Sequence, residues 1–217
     1  MSAVRETNAR IFSAELNSAS FEIRSDEEMK PSYQLSRLGL KINRVLIVGV
    51  LTEKENIGTE EEPMWRGRLQ DVPGGTVFIN VGRYQPEAAN NIRDIDTPSL
   101  VAVVGKVKSY TNDEMRTFVS VRPDHIFPVN EETRRLWLLD TAKGTMDRLV
   151  AMRKAQGLGT MSVDALQAEG IPRSAAENII MALDQYGQSD STPFLKAIEF
   201  ALRSHPMLSR KHIFFKD

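Results

Sequence analysis

Between residues 43 and 127 the chain alternates β-branched runs with turns in an order that few folds accept. NRVLIVGVLTE (43–53) is an apolar, β-branched run, and MWRGRLQD (64–71) alternates strictly. A Pro-Gly-Gly turn (73–75) leads into TVFINVGRY (76–84). QPEAANNIRDI (85–95) has helical composition, and SLVAVVGKVKSY (99–110) and MRTFVSVRP (115–123) return to strand. Gly49 and Gly105 interrupt otherwise apolar runs, as glycines do where a strand bends or another backbone comes close. The pattern predicts a small closed barrel.

Three strands, a short helix and two more strands is the order of an OB-fold, a five-stranded Greek-key barrel that binds oligonucleotides and oligosaccharides on the face of its second and third strands. Alternation predicts what that face carries, because residues two apart share one side of a strand. In the second strand Trp65, Gly67 and Leu69 lie on one side, and Arg66, Arg68 and Gln70 on the other. In the third, Val77, Ile79 and Val81 are the core set. This leaves Thr76, Phe78 and Asn80 outside, with Arg83 and Tyr84 at the strand's end. Lys106 and Lys108 share a face of the fourth strand, and Arg122 lies in the fifth. Arginines that pair phosphates beside an aromatic that stacks a base make a single-strand binding platform. The candidate nucleic-acid-binding residues are therefore Arg66, Arg68, Phe78, Asn80, Arg83, Tyr84, Lys106, Lys108 and Arg122. The competing reading is that these cations only solvate the barrel.

INRVLIVGVLTE, WRGRLQD, GGTVFINVGRYQPEAA, LVAVVGKVKSY and VSVRPDHI, in that order and spacing, resemble the archaeal replication protein A-associated proteins. The resemblance covers residues 9 to 154, and its most specific parts are residues 65–89 and Val103-Val104-Gly105-Lys106. It implies an OB-fold, association with replication protein A, and a role on single-stranded DNA in replication, repair or recombination.

The barrel uses under half of the 217 residues, so further units are expected. The expected divisions are an N-terminal helix and lead-in (1–42), the barrel (43–129), a long helix and linker (130–159) and a helical region (160–217). A helix over 6–16 places Ala9, Phe12 and Leu16 on one side and plugs one end of the barrel. Residues 18–31 are polar and read as loop. Tyr33, Leu35, Leu38 and Leu40 then lead into the first barrel strand.

After the barrel, Asn130 is a good N-cap, and Glu131 and Glu132 follow at the positive end of the helix dipole. Leu139, Ala142, Met146, Leu149 and Val150 form a stripe, and Gly157-Leu158-Gly159 ends the helix unless Gly144 breaks it first. This helix is a candidate for assembly through 131–156, with another OB-fold subunit or with a second copy; the plainer role is packing on its own barrel. Farther on, Ser162 caps a short helix, and Ser174 to Glu177 reads as a capping box. Ile179, Ile180, Leu183 and Tyr186 form the stripe of that helix. Thr192-Pro193 opens a last one with Phe194, Ile198, Ala201 and Leu202 inward. Three short helices predict a helix-turn-helix or winged-helix-like unit. Its would-be recognition helix is poor in base-reading cations, which favours protein over duplex DNA as its partner.

Formal net charge is −1, so nucleic-acid affinity must come from a local patch. The segment EKENIGTEEEP (53–63) is acidic and repels phosphate, which favours a second function class: an OB barrel that binds replication proteins without touching DNA. Enzymatic chemistry has little to stand on. Cysteine is absent, which excludes thiol catalysis and zinc fingers. His125, His205 and His212 have no ligand spacing, and Gly74-Gly75 lies in a turn and not a phosphate loop. No cofactor is expected. The longest apolar run falls far short of a membrane span, and MSAVRETNAR carries no apolar leader, so a cytoplasmic protein is expected.

Overall fold

The computed structural model describes residues 7–24, 31–72, 74–159 and 162–205. Pro73 of the expected turn, part of the expected 18–31 loop, and His212 lie outside them. The chain opens with a two-residue strand, β1 (Ala9–Arg10), which pairs in parallel with the first barrel strand, Ala9 opposite Val45. The helix expected over 6–16 is thus confined to α1 (Ser13–Leu16). The correction has a physical cause. Asp71, buried at the end of the second barrel strand, accepts from the Ser13 amide and hydroxyl, both at 2.6 Å, and so fixes where the helix can begin. Phe12 and Leu16 are buried as expected. β2 (Phe21–Ile23), β3 (Tyr33–Leu35) and β4 (Lys41–Ile42) form a separate antiparallel sheet, so part of the 18–31 segment is strand.

The barrel follows: β5 (Arg44–Asn56), β6 (Trp65–Gln70), β7 (Thr76–Val81), α2 (Pro86–Asp94), β8 (Ser99–Thr111) and β9 (Thr117–Pro128). The order β5–β6–β7–β9–β8 closes through β5–β8, and β7–β9 is the parallel pair. This is the predicted OB order. Val45, Ile47, Leu51, Leu69, Val77, Ile79, Val81, Val101, Val103, Val121 and Ile126 fill the interior. Both interrupting glycines sit at close approaches. A Cβ on Gly49 would stand 2.5 Å from the Gln70 carbonyl oxygen, and one on Gly105 would run into the Arg122 carbonyl oxygen. Gly105 also borders the bulge that lets β8 and β9 bend around the barrel.

Helix α2 closes one end with Ala88 and Ile92 buried. Its C-terminal carbonyls are met by Lys54, whose Nζ donates to Ile92 at 3.0 Å, Arg93 at 2.6 Å and Ile95 at 2.6 Å. A cation there also complements the negative end of the helix dipole.

α3 (Glu131–Leu158) runs unbroken through Gly144 and ends at Gly159, whose φ of 61° is left-handed. Asn130 accepts from the Thr133 amide at 2.9 Å, as its capping role predicts. The buried face is Trp137, Leu138, Thr141, Ala142, Thr145, Leu149, Met152 and Ala155. Met146 and Val150, from the expected stripe, are exposed. Trp137 donates to the Leu46 carbonyl at 2.8 Å and meets Phe12 edge-on at 5.6 Å, which holds α3 against β5 and α1. The two helices are also joined by an ion pair: Arg148 donates to Glu15, which is fully buried, at 2.9 and 2.6 Å, and Ser36 donates to the same carboxylate at 2.8 Å.

α4 (Val163–Ala168), α5 (Arg173–Tyr186) and α6 (Thr192–Arg203) complete the chain. Ser162 caps α4 as expected. The capping box at 174–177 does not form: the N-cap of α5 is Pro172, two residues before Ser174, and the Glu177 carboxylate is held by Arg173 at 3.0 Å. Leu202 is exposed, and Ala197 takes the inward place expected of it beside Phe194, Ile198 and Ala201. Tyr186 donates to the Leu35 carbonyl at 2.6 Å and accepts from the Phe21 amide at 2.9 Å, which ties α5 to the small sheet. Among the described residues no strand follows Pro128, and none forms a wing. No helix among them is long and apolar enough to cross a membrane.

Candidate nucleic-acid interface

The outward side chains of β6, β7, β9 and β8 stand in ranks set by the pairing register. In the middle rank Arg68 is opposite Phe78, Phe78 opposite Ser120, and Ser120 opposite Lys108. In the upper rank Arg66 is opposite Asn80, and Arg122 is opposite Lys106. Two residues below the middle rank on β9 stands Phe118, directly opposite Tyr110. Phe78 is 44% exposed, Phe118 56% and Tyr110 67%. Inward neighbours Val77, Ile79, Val119 and Val121 are buried, so the outer position of these rings follows from strand parity.

Seven of the nine predicted residues fall on this face: Arg66, Arg68, Phe78, Asn80, Lys106, Lys108 and Arg122. Arg66, Arg68, Lys106 and Lys108 are exposed, while Asn80 and Arg122 are half-buried. Arg83 and Tyr84 lie apart, past the end of β7. There the Arg83 guanidinium covers the Tyr84 ring at 4.8 Å, donates to its hydroxyl at 2.8 Å, and pairs with Glu62 at 3.4 Å. Trp65 is half-buried on the inner side, as the alternation predicts, with Lys54 Nζ 5.6 Å from its ring centre.

Phe118 and Tyr110 are absent from the sequence-based selection. Their signal was present: Phe118 alternates with Val119 and Val121 as Phe78 does with Val77 and Ile79. What was missing was the cross-strand register, which alone brings β9 beside β7.

Charge on the face is uneven. β5 extends to Asn56, so Glu53 and Glu55 are strand residues and not loop, opposite Arg68 and Arg66 respectively. Arg68 bonds Glu53 at 3.2 Å, and its guanidinium lies 5.6 Å from the Phe78 ring centre. Glu60, Glu61 and Glu62 are exposed in the loop beyond. Toward β8 and β9 the balance reverses. Among the described residues, Arg66, Lys106, Lys108 and Arg122 have no carboxylate within ion-pair distance. Arg122 also has a buried Nε with no acceptor. No described element covers this surface. α3 lies against β1 and β5, and α2 sits at the barrel end.

Two charged groups farther along β9 are paired locally. Asp124 is bound by Arg44, and His125 Nδ1 is 3.0 Å from Glu87 in an exposed pair. Among the described residues no group of three or more His, Asp or Glu side chains could hold a metal ion.

No family model matches the chain, and no curated protein sequence matches it. Solved structures do. A chain of the S. pombe Stn1–Ten1 complex is similar at 12% identity and a TM-score of 0.51, covering 65% of this chain and 93% of that one. The second single-stranded DNA-binding protein of Mycobacterium smegmatis is 15% identical with a TM-score of 0.34, covering 42% and 89%. Yeast Stn1 and Ten1 give 14% and 0.38, covering 51% and 56%. The first likeness shows the fold: the chain carries an OB-type barrel with flanking helices.

Proposed function

We propose that this chain binds single-stranded DNA across the outer face of β6, β7, β9 and β8 and acts in replication, repair or recombination. The observation that carries the reading is a face that no described element covers. Among the described residues Arg66, Lys106, Lys108 and Arg122 stand there without carboxylate partners, interleaved with the exposed rings of Phe78, Phe118 and Tyr110. Cations placed to neutralise phosphates and rings placed to stack bases are the two parts that sequence-tolerant single-strand binding needs. The roles of Arg66, Arg68, Phe78, Asn80, Lys106, Lys108 and Arg122 belong to this proposal, with Arg83 and Tyr84 at its margin. Binding requires no cofactor, and the protein acts as a binding protein, not an enzyme. The resemblance to archaeal replication protein A-associated proteins names the setting, and a cytoplasmic location goes with it. Titration of a labelled oligo-dT at two salt concentrations tests the reading: saturable binding that weakens with salt supports it, and no binding at low salt overturns it.

A partner subunit is the second part of the proposal. Leu136 is 62% exposed and Val150 47% exposed on the outer side of α3, with Met146 between them. The fold is shared with a chain of the Stn1–Ten1 complex, and by that likeness we extend the proposal to assembly through 131–156, with replication protein A, another OB-fold subunit or a second copy. The alternative, a barrel that binds replication proteins and never DNA, draws on the acidic flank: Glu53 and Glu62 already hold Arg68 and Arg83. Association with replication protein A together with no oligo-dT binding would favour that alternative.

A further inference from the structure

Lys106 and Arg122 are directly opposite one another on β8 and β9. Like charges at that position repel, and a sheet normally avoids them. Among the described residues neither has a carboxylate partner, Lys108 stands two residues away on the same face, and the Arg122 Nε is buried without an acceptor. We infer that Lys106 and Arg122 form a phosphate seat, and that the strand therefore lies in one orientation: its backbone along the upper rank, its bases down over Phe78 and the Phe118–Tyr110 pair.

The geometry supports that orientation. The upper rank is cationic, with Arg66, Arg122 and Lys106, and holds no ring. The rings lie on the middle and lower ranks. Residues two apart on a strand are separated by about 6.6 Å, so a phosphate on Arg122 leaves its base above Ser120 and Phe118. The acidic border sets the other limit. Glu55 and Glu53, opposite Arg66 and Arg68, discourage the backbone from crossing onto β5, so the path runs along the upper rank from β6 toward β9 and β8. The inference rests on the proposed binding of single strands and adds which side chains meet phosphate and which meet base.

Three double variants and two probes test it. Both probes have the same length, one oligo-dT and one an abasic deoxyribose-phosphate chain. Lys106→Gln with Arg122→Gln is expected to lower the salt slope of oligo-dT binding by one to two units, at ~0.7 per lost phosphate contact, and to keep the preference for dT over the abasic chain. Lys106→Gln with Lys108→Gln, both exposed, is expected to lower the slope in the same direction and covers the case in which loss of half-buried Arg122 unfolds the barrel. Phe118→Ala with Tyr110→Ala is expected to reduce the preference for dT about tenfold, within the range for a lost stacked base, with the slope unchanged. If the wild type binds oligo-dT but the cation variants keep its slope, or the ring variant keeps its preference, the orientation is wrong while single-strand binding stands. If the wild type binds neither probe, the underlying function fails and the orientation with it.

Discussion

Arg68 stands directly opposite Phe78, its guanidinium 5.6 Å from the ring centre, while one of its nitrogens holds Glu53 at 3.2 Å. The arginine is thus shared between an acidic border and an exposed ring. A nucleotide whose base covers Phe78 competes with Glu53 for it. The Arg68–Glu53 pair is exposed, and such pairs contribute only ~0–1 kcal/mol, so exchange is cheap.

Replacing Arg66 and Arg68 together by alanine should weaken single-strand binding and lower its salt slope by one to two units, at ~0.7 per phosphate contact. The thermal midpoint should hold, since both side chains are exposed. A salt titration of the double variant checks this. An unchanged slope would move the phosphate path away from β6.

Phe78→Ala should cost ~1–3 kcal/mol of oligo-dT affinity, the range for one stacked base, and little stability. Phe12→Ala should do the reverse. Phe12 is buried against Trp137, and truncating such a ring costs ~3–5 kcal/mol of folding free energy. Denaturant unfolding and oligo-dT titration on both variants separate the two roles. A large stability loss from Phe78→Ala with affinity intact would contradict its assignment.

The barrel was legible because its signals are local. Alternation over residues 64–81 gives both faces of β6 and β7, and the lone glycines Gly49 and Gly105 mark the close approaches. The same alternation predicted Arg66, Arg68 and Phe78 on one side. What escaped the sequence is what long-range partners decide. Nothing local says that Asp71 will hold the Ser13 amide and shorten the first helix, or that Arg148 will reach Glu15. Phe118 and Tyr110 join the face only through the β7–β9 and β8–β9 registers. The stripe of α3 held at Ala142 and Leu149 but not at Met146 and Val150, because the helix carries apolar residues beyond the face that packs.

Arg148→Met should destabilise the protein by ~3–5 kcal/mol, because it strands a buried carboxylate at Glu15. Replacing both partners, Glu15→Met with Arg148→Met, should cost less than the single change. Urea unfolding of the single and double variants gives the comparison. Equal losses would mean that the pair's charges do not matter to the docking of α1 on α3.

Asp71 gives a signed pH test. Burial pushes its carboxyl above the usual aspartate range, against hydrogen bonds from Ser13 and Val72 that pull it down. A group raised in the folded state binds its proton more tightly there than in the unfolded chain. Its contribution to stability therefore falls as pH rises from ~3.9, the ordinary aspartate value, to the raised folded value, and is flat above that. The stability of Asp71→Asn minus that of the wild type should rise through this window and then level. A difference that falls with pH would mean that the hydrogen bonds outweigh the burial.

The most direct test of the central claim is the affinity of the full chain for labelled oligo-dT at two salt concentrations. The face of Arg66, Arg68, Phe78, Lys106, Lys108 and Arg122 predicts saturable binding that loses affinity as salt rises, with a log–log slope of about −2 to −3.5 for about three to five phosphate contacts at ~0.7 each. No binding at low salt, or binding with a slope near zero, would contradict it.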